Sequence, residues 1–257
     1  MNSWRQFPRE MSRRDAIALL VAAAAPDSRR AVILLDVRTR RVLRARNAEL
    51  IAPPGSTLKP LVFSTLLRAM KLDAGETFAC TGRLVISGRR FDCSHPRVNT
   101  PMDLRTALAY SCNAFTAHVA ERFEPGELAR GLERFGIGRT QAAATREASQ
   151  LQALGEERVL VNPMELAQAY RQIALGGEPA IVGGLRDAVE FGTAQRAAVA
   201  GLAVAGKTGS VRTAAGAHIA WFAGFTAAMV VVVMLQGRSG GADAAPVAAE
   251  VLRGAGK

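Results

Sequence analysis

Three short clusters along the chain hold the residue types best suited to catalysis: Ser56-Thr57-Leu58-Lys59, Ser111-Cys112-Asn113 and Lys207-Thr208-Gly209-Ser210. A serine hydroxyl is a weak nucleophile until a base removes its proton, and residues three apart on a helix lie on the same face. Lys59 is therefore placed to take the proton of Ser56. The first cluster predicts nucleophilic catalysis by a serine that a lysine activates.

The rarity of lysine strengthens this interpretation. The chain has 29 arginines and four lysines, at positions 59, 71, 207 and 257. A lysine acts as a base only when it is neutral, and burial or a nearby second cation lowers its pKa toward that state. We expect Lys59 to be the base and Lys207 to be the second cation, which would also anchor a substrate carboxylate.

The second cluster falls between two predicted helices, where a turn can present polar side chains to a cleft. Ser111 would pass a proton between Lys59 and a leaving amine, and Asn113 would hold a substrate amide. On its own, this sequence is more often a helix cap. The order of the three clusters favours the catalytic interpretation.

The third cluster falls in a predicted strand. Thr208 and Ser210 supply hydroxyl donors for a carboxylate, and a glycine such as Gly209 leaves room for another backbone to approach. A substrate strand beside this edge would receive main-chain hydrogen bonds. One N–H of the strand, together with the N–H of Ser56, would form an oxyanion hole. An ordinary hairpin strand is the alternative.

The spacing of apolar residues predicts the elements that position these clusters. Strands are predicted over 31–36, 41–46, 204–210, 218–225 and 228–236, and helices over 56–70, 103–110, 114–123, 127–135, 163–175 and 244–253. Ser56 would cap the first helix, and a small hairpin would turn at Gly88. We expect an α/β (α+β) fold in which a five-stranded antiparallel sheet is flanked by helices and carries an inserted, all-helical lobe.

Composition narrows the class of protein. The chain has 257 residues, 49% apolar and 21% charged, which predicts one or two globular domains rather than a disordered or fibrous protein. Its net charge of +11 is compatible with peripheral association with a membrane or cell wall, but the basic residues are scattered, which disfavours nucleic acid as a partner. Three cysteines without C-x-x-C spacing and three histidines argue against a metal centre. The mechanism requires no cofactor.

Two features bear on the compartment. Arg13 and Arg14 precede an apolar run from Ala16 to Ala25, an order typical of twin-arginine export signals, and a helix packed on the fold is the alternative. The run is too short to cross a bilayer, which takes about 20 residues. In an oxidising space, Cys80 and Cys93 could form a disulfide, and two ordinary buried thiols are the alternative.

Taken together, the clusters resemble the S-x-x-K, S-D-N-type and K-T-G motifs of penicillin-binding proteins and β-lactamases. The stretches 54–60, 107–113, 161–170, 220–225 and 240–246 also resemble the penicillin-binding transpeptidase domain, so the resemblance extends over about residues 31–252. It implies a serine acyl-transferase that attacks the D-Ala-D-Ala bond of peptidoglycan stem peptides and that β-lactams inhibit covalently. It also implies an active serine between two lobes, with Ser56 as nucleophile, Lys59 as base, Ser111 as proton shuttle and Lys207 as anchor.

We expect residues 1–30 to be an export signal or a flexible N-terminus, and 31–257 to be one transpeptidase-like domain with a sheet lobe (31–72 and 185–257) and a helical lobe (73–184). Export would place it in the periplasm or at the outer face of the cytoplasmic membrane. Two alternatives stay open: a class D-like β-lactamase, with Lys59 carboxylated and shielded by Trp221, and a non-catalytic module that senses β-lactams or binds wall peptides. The E-x-x-L-N segment of class A β-lactamases is not evident, and Glu147 lacks its context, which favours slow turnover of β-lactams.

Overall fold

The computed structural model describes residues 30–96, 101–213 and 215–255. The expected export segment therefore lies outside the described residues, apart from Arg30. None of the described helices is long and apolar enough to cross a membrane.

A five-stranded antiparallel sheet occupies the centre of the molecule, in the strand order β2-β1-β7-β6-β5. The strands are β1 (Ala31–Asp36), β2 (Val42–Arg46), β5 (Ala205–Arg212), β6 (His218–Phe225) and β7 (Met229–Gln236); a separate two-stranded hairpin consists of β3 (Val85–Ile86) and β4 (Arg89–Arg90). The expected joining of N- and C-terminal strands is confirmed by the pairing of β1 with β7.

Eight α-helices belong to the described part of the chain. They are α1 (Lys59–Arg68), α2 (Leu104–Ala109), α3 (Asn113–Ala120), α4 (Glu127–Glu133), α5 (Arg146–Ala153), α6 (Pro163–Gly176), α7 (Pro179–Glu190) and α8 (Ala245–Ala255). The predicted helices and strands are all present, with ends that differ by a few residues. Two helices, α5 and α7, were not predicted.

Helices cover both faces of the sheet. Along β7, Val230 and Val232 pack into the cluster that contains α1 and α6, whereas Val231 and Val233 pack into the cluster that contains α8. A strand buried on both faces is apolar at successive positions rather than at alternate ones, which accounts for the valine run.

Glycines explain why the sequence pattern does not reveal α7. Two successive glycines, Gly183 and Gly184, disfavour a helix in the sequence pattern. In the structure Gly184 has a packing role, because a Cβ there would lie 2.8 Å from the carbonyl oxygen of Arg105. The glycine therefore allows α7 to pack closely on α2, and the ion pair between Arg105 and Asp187 joins the same two helices. Close packing replaces the apolar periodicity that a sequence pattern would detect.

The start of α1 differs from the prediction. Ser56 does not cap the helix: it lies inside a 3₁₀ turn, Gly55–Leu58, that runs directly into α1. The residue before the turn is Pro54 and the N-cap of α1 is Leu58, and neither makes a side-chain capping hydrogen bond. The turn places Ser56 outside the regular helix, three residues before Lys59.

Candidate active site

Buried side chains hold the turn that carries Ser56. The hydroxyl of Tyr170 donates a hydrogen bond to the carbonyl of Thr57 at 2.8 Å, and the indole N–H of Trp221 donates to the carbonyl of Pro53 at 2.9 Å. Both rings are fully buried. Ser56 itself remains partly exposed, on a turn whose neighbouring carbonyls are held by these two hydrogen bonds.

Glycines let three stretches of backbone meet at this turn. A Cβ at Gly209 would lie 2.7 Å from the carbonyl oxygen of Pro54, and one at Gly155 would lie 2.3 Å from that of Gly55. The N–H of Gly55 donates to the carbonyl of Gly155 at 3.0 Å. Since Gly209 lies on β5, the absence of side chains brings the third cluster directly against the first.

Lys59 connects the first cluster to the second. Its Nζ donates to the carbonyl of Ser111 at 2.8 Å, to Oγ of Ser111 at 3.3 Å and to Oδ1 of Asn113 at 2.6 Å. The side chain is fully buried, and burial lowers the pKa of Lys59 to about 8. The ammonium therefore loses its proton far more readily than one in water.

The second cluster is a tight connection between α2 and α3. Ser111 adopts a left-handed backbone conformation with φ of 58°, and Cys112 caps α3 by accepting a hydrogen bond from the N–H of Phe115. Asn113 begins α3 and donates from its Nδ2 to the carbonyl of Phe91 at 3.0 Å. The prediction that this cluster forms a turn between two helices is confirmed.

Lys207 is the second buried lysine of the site. It is 0% exposed, and its Nζ donates to the carbonyl of Thr208 at 3.2 Å. Burial lowers the pKa of Lys207 well below its usual value, and the charge of Lys59 lowers it further. The close approach of Gly209 to Pro54 places the third cluster beside the first, and the hydrogen bonds of Lys59 join the first to the second.

The two hydroxyls of the third cluster make hydrogen bonds within the chain. Thr208 donates from Oγ1 to the hydroxyl of Thr193 at 3.0 Å, and Oγ of Ser210 accepts from the N–H of Gly240 at 3.0 Å. Ser210 is exposed, whereas Thr208 is buried. Thr193 and Gly240 were not among the predicted residues, because only the fold brings them beside β5.

Sequence reasoning also missed a carboxylate whose charge acts on Lys59. Glu156 follows Gly155, and burial raises the pKa of its carboxyl to about 7. Its charge favours the protonated form of Lys59. Glu147, which the sequence brought to attention, lies instead in the first turn of α5.

The question of a disulfide between Cys80 and Cys93 has a definite geometric answer in this structure. The three cysteines are free, and the Sγ atoms of Cys80 and Cys93 are 3.7 Å apart. A disulfide bond is about 2.05 Å long. Cys80 and Cys93 are partly buried thiols here, and Cys112 is fully buried.

Comparisons with known proteins give the family. The chain matches the model for the penicillin binding protein transpeptidase domain over residues 19–187 and 179–253. Its fold is similar to that of Pseudomonas aeruginosa PBP2, crystallised in complex with WCK 5153, with a TM-score of 0.75 and 19% identity over 94% of this chain and 76% of that one. A chain from a peptidoglycan synthase complex that coordinates polymerization and crosslinking aligns with a TM-score of 0.71 and 22% identity, over 88% of this chain and 54% of that one. This chain thus spans about half the length of the second structure. No match is found among curated protein sequences. Because the family model covers most of the chain, the protein belongs to the penicillin-binding protein transpeptidase domain family.

Proposed function

We propose that the protein is a serine acyl-transferase acting on the D-Ala-D-Ala end of peptidoglycan stem peptides, as a D,D-transpeptidase or D,D-carboxypeptidase. One observation carries the proposal: Lys59 is fully buried one turn after Ser56 and donates to both Ser111 and Asn113. A partly exposed serine three residues before a buried amine of lowered pKa supplies the nucleophile and the base that serine acylation needs. Family membership supports the same reaction class.

The proposed reaction begins with proton transfer from Ser56 to neutral Lys59 as Oγ attacks the carbonyl carbon between the two D-alanines. Ser111 then passes the proton to the leaving amine, the peptide C–N bond breaks, and an acyl-enzyme remains on Ser56. An acceptor amine or water attacks the ester in the second half-reaction. A β-lactam would follow the first half and remain attached.

The main chain is suited to hold the oxyanion and the substrate strand. The backbone N of Ser210 would lie 3.4 Å from a Cβ placed on Gly55. The N–H groups of Ser210 and Ser56 are therefore near each other, as the two donors of an oxyanion hole must be. Since β5 is the terminal strand of the sheet, an extended peptide can pair with it. We assign Asn113, Thr208, Gly209 and Ser210 to substrate binding. Lys207 is the anchor for the substrate carboxylate, whose negative charge would favour the protonated amine.

The surroundings of Lys59 favour this reaction over that of a class D-like β-lactamase. Its Nζ faces three oxygen acceptors from Ser111 and Asn113. A carboxylated lysine would place its own anionic oxygens against those acceptors, at a cost in electrostatic energy. Trp221, the residue expected to shield such a group, instead donates its N–H to the carbonyl of Pro53. Addition of bicarbonate should therefore leave β-lactam turnover unchanged.

Covalent labelling tests the proposal. Wild-type protein incubated with a fluorescent penicillin should gain the mass of one penicilloyl group, and Ser56→Ala should gain none. Ser64→Ala, which removes a buried hydroxyl further along α1, is the matched control and should label normally. Undiminished labelling of Ser56→Ala would overturn the assignment. Incubation with a pentapeptide, with and without an acceptor amine, then distinguishes transpeptidation from release of D-alanine by hydrolysis.

We also propose that the protein works outside the cytoplasm, where domains of this family build the wall. The Arg13-Arg14 segment and the apolar run after it supply the export signal in this proposal, and residues 31–257 form the exported domain. Peptidoglycan stem peptides and the cell wall are its expected partners.

A further inference from the structure

A separate group of reactive side chains, three thiols and an imidazole, lies next to Ser111 and Asn113. The three Sγ atoms of Cys80, Cys93 and Cys112 form a triangle with sides of 3.7, 3.7 and 3.5 Å. Nε2 of His95 lies 3.7 Å from Sγ of Cys80. All four atoms lie within 4.8 Å of one another. Every cysteine of the chain is thus gathered at one point, together with one of its three histidines.

The spacing of these atoms fits a tetrahedral metal ion. With zinc–sulfur bonds of about 2.3 Å, the edges of a regular tetrahedron are about 3.8 Å long. The three sulfur–sulfur distances, 3.5 to 3.7 Å, are close to that length. A disulfide requires about 2.05 Å and would leave the third thiol without a partner. The geometry therefore matches four ligands around one ion better than a disulfide.

Hydrogen bonds hold the four ligand groups in the orientation that a metal requires. Backbone N–H groups point at all three sulfurs: Gly82 toward Cys80 at 3.3 Å, Ala114 toward Cys93 at 3.5 Å and Phe115 toward Cys112 at 3.4 Å. Such donors stabilise thiolates.

The histidine is oriented in the same way. Nδ1 of His95 lies 2.7 Å from the carbonyl of Pro96. Because a carbonyl only accepts, Nδ1 carries the proton, and Nε2 keeps a free lone pair on the side of Cys80. A ring nitrogen that donates to a carbonyl while the other binds the ion is typical of metal-bound histidines.

We propose that Cys80, Cys93, His95 and Cys112 bind one Zn²⁺ in a closed, four-coordinate structural site. Three thiolates and one imidazole are the ligands that favour zinc in tetrahedral geometry. On binding, the three thiols release their protons to solvent. The site has no open position for a water or a substrate, so the ion stabilises structure and does not take part in acyl transfer.

The position of Cys112 gives the metal a second effect, and this part rests on the proposed function. Cys112 stands between Ser111 and Asn113, whose oxygens hold Lys59. Asn113 also donates to the carbonyl of Phe91, two residues before Cys93. Zinc would thus fasten the segment 80–95 to the second cluster and fix the groups around Lys59. The four ligands are positioning residues for acylation.

Metal content tests the site independently of any activity. Full-length protein, purified under reducing conditions without added metal or chelator, should contain one zinc per chain by elemental analysis and native mass spectrometry. Cys93→Ser and His95→Ala should lose most of it. His218→Ala, which replaces an exposed histidine at the start of β6, should retain it. Because the wild-type measurement needs no variant, misfolding of a variant leaves the test intact.

Cobalt exchange tests the ligand set. Co²⁺ in place of zinc should produce the intense visible bands of tetrahedral cobalt and near-ultraviolet thiolate charge-transfer bands, and both should weaken in Cys93→Ser. A wild-type chain that takes up no zinc from added zinc sulfate while its three thiols react with a thiol reagent would overturn the proposal. A chain two hydrogen masses lighter, with Cys80 and Cys93 joined, would overturn it as well.

The effect on the active site is measured last. Removal of zinc with a chelator should slow penicillin acylation by about tenfold or more, and added zinc should restore it. Zinc-loaded and zinc-free proteins that acylate at equal rates would refute the positioning role while the metal site stands. Zinc-loaded protein that never acylates would instead contradict the proposed function.

Discussion

Replacement of Gly209 by alanine tests whether the close approach of β5 to the Ser56 turn sets the geometry of the site. The new Cβ would lie 2.7 Å from the carbonyl oxygen of Pro54, 3.0 Å from Cγ2 of Thr57 and 3.2 Å from Cβ of Trp221. Ordinary contact begins near 3.4 Å, so the strand and the turn must separate by about 0.7 Å. Two of the three neighbours are backbone or Cβ atoms, which no change of rotamer can move.

We expect Gly209→Ala to cost about 1–3 kcal/mol of unfolding free energy through overpacking. A displacement approaching 1 Å between reacting groups costs up to about 100-fold in rate. The second-order rate constant for acylation by a fluorescent penicillin should therefore fall by about one to two orders of magnitude, with folding followed by circular dichroism. Gly138→Ala is the control, because a Cβ there meets nothing within 4 Å. Wild-type acylation by a folded Gly209→Ala protein would refute the argument.

The remaining predictions concern the charges of the cleft. Burial lowers the pKa of Lys59 from 10.5 to about 8. Between these two pH values Lys59 is protonated in the unfolded chain and neutral in the folded one, so the free energy of unfolding should rise with pH in that range. Lys59→Met should flatten that rise in denaturant titrations and abolish acylation, whereas Lys71→Met should keep both; an unchanged slope in Lys59→Met would contradict the buried-amine argument. Acylation should lose rate below about pH 8 as Lys59 becomes protonated. Glu156→Gln removes a charge that raises the pKa of Lys59, so this acid limb should move to lower pH, and a limb that stays or moves upward would exclude the interaction.

Much of the fold follows from local pattern. The strands β6 and β7 and the long helix α6 have apolar spacing that their burial enforces, and they lie within a few residues of the predicted ranges. The pattern fails where other forces decide. In α5 the buried face includes Ser149 and Gln152, and Gln152 is buried because it donates to two backbone carbonyls. Only Nε2 of Gln152 is paired in this way, and its Oε1 is buried without a hydrogen-bond partner. The sequence does not distinguish such a buried glutamine from one in water.

The candidate site divides in the same way. Ser56, Lys59, Ser111 and Lys207 were predicted because their types and order are rare, and the structure brings the three clusters that contain them together. Glu156 and Thr193 have no such signature, since only long-range contacts bring them to the cleft. The sequence argues against the proposed zinc site, because it has three cysteines without C-x-x-C spacing and three histidines. The ligands of that site come from two loops and the N-cap of α3, which are far apart in the sequence and meet only in the folded chain.

The two edge strands of the sheet, β2 and β5, differ in the side chains that they expose to solvent. A strand without a neighbour exposes unpaired N–H and C=O groups and invites adhesion to other chains, and natural sheets discourage this with charge. On β2 the exposed Val42 and Leu43 are followed by Arg44, so that border carries its own deterrent. On β5, residues 205–209 are buried and Lys207 is 0% exposed, so this stretch presents no charged side chain to solvent; the exposed Arg212 lies at the end of the strand. If β5 takes a substrate strand as proposed, this edge must keep its backbone N–H and C=O groups accessible, whereas β2 is protected from unwanted pairing by its charge.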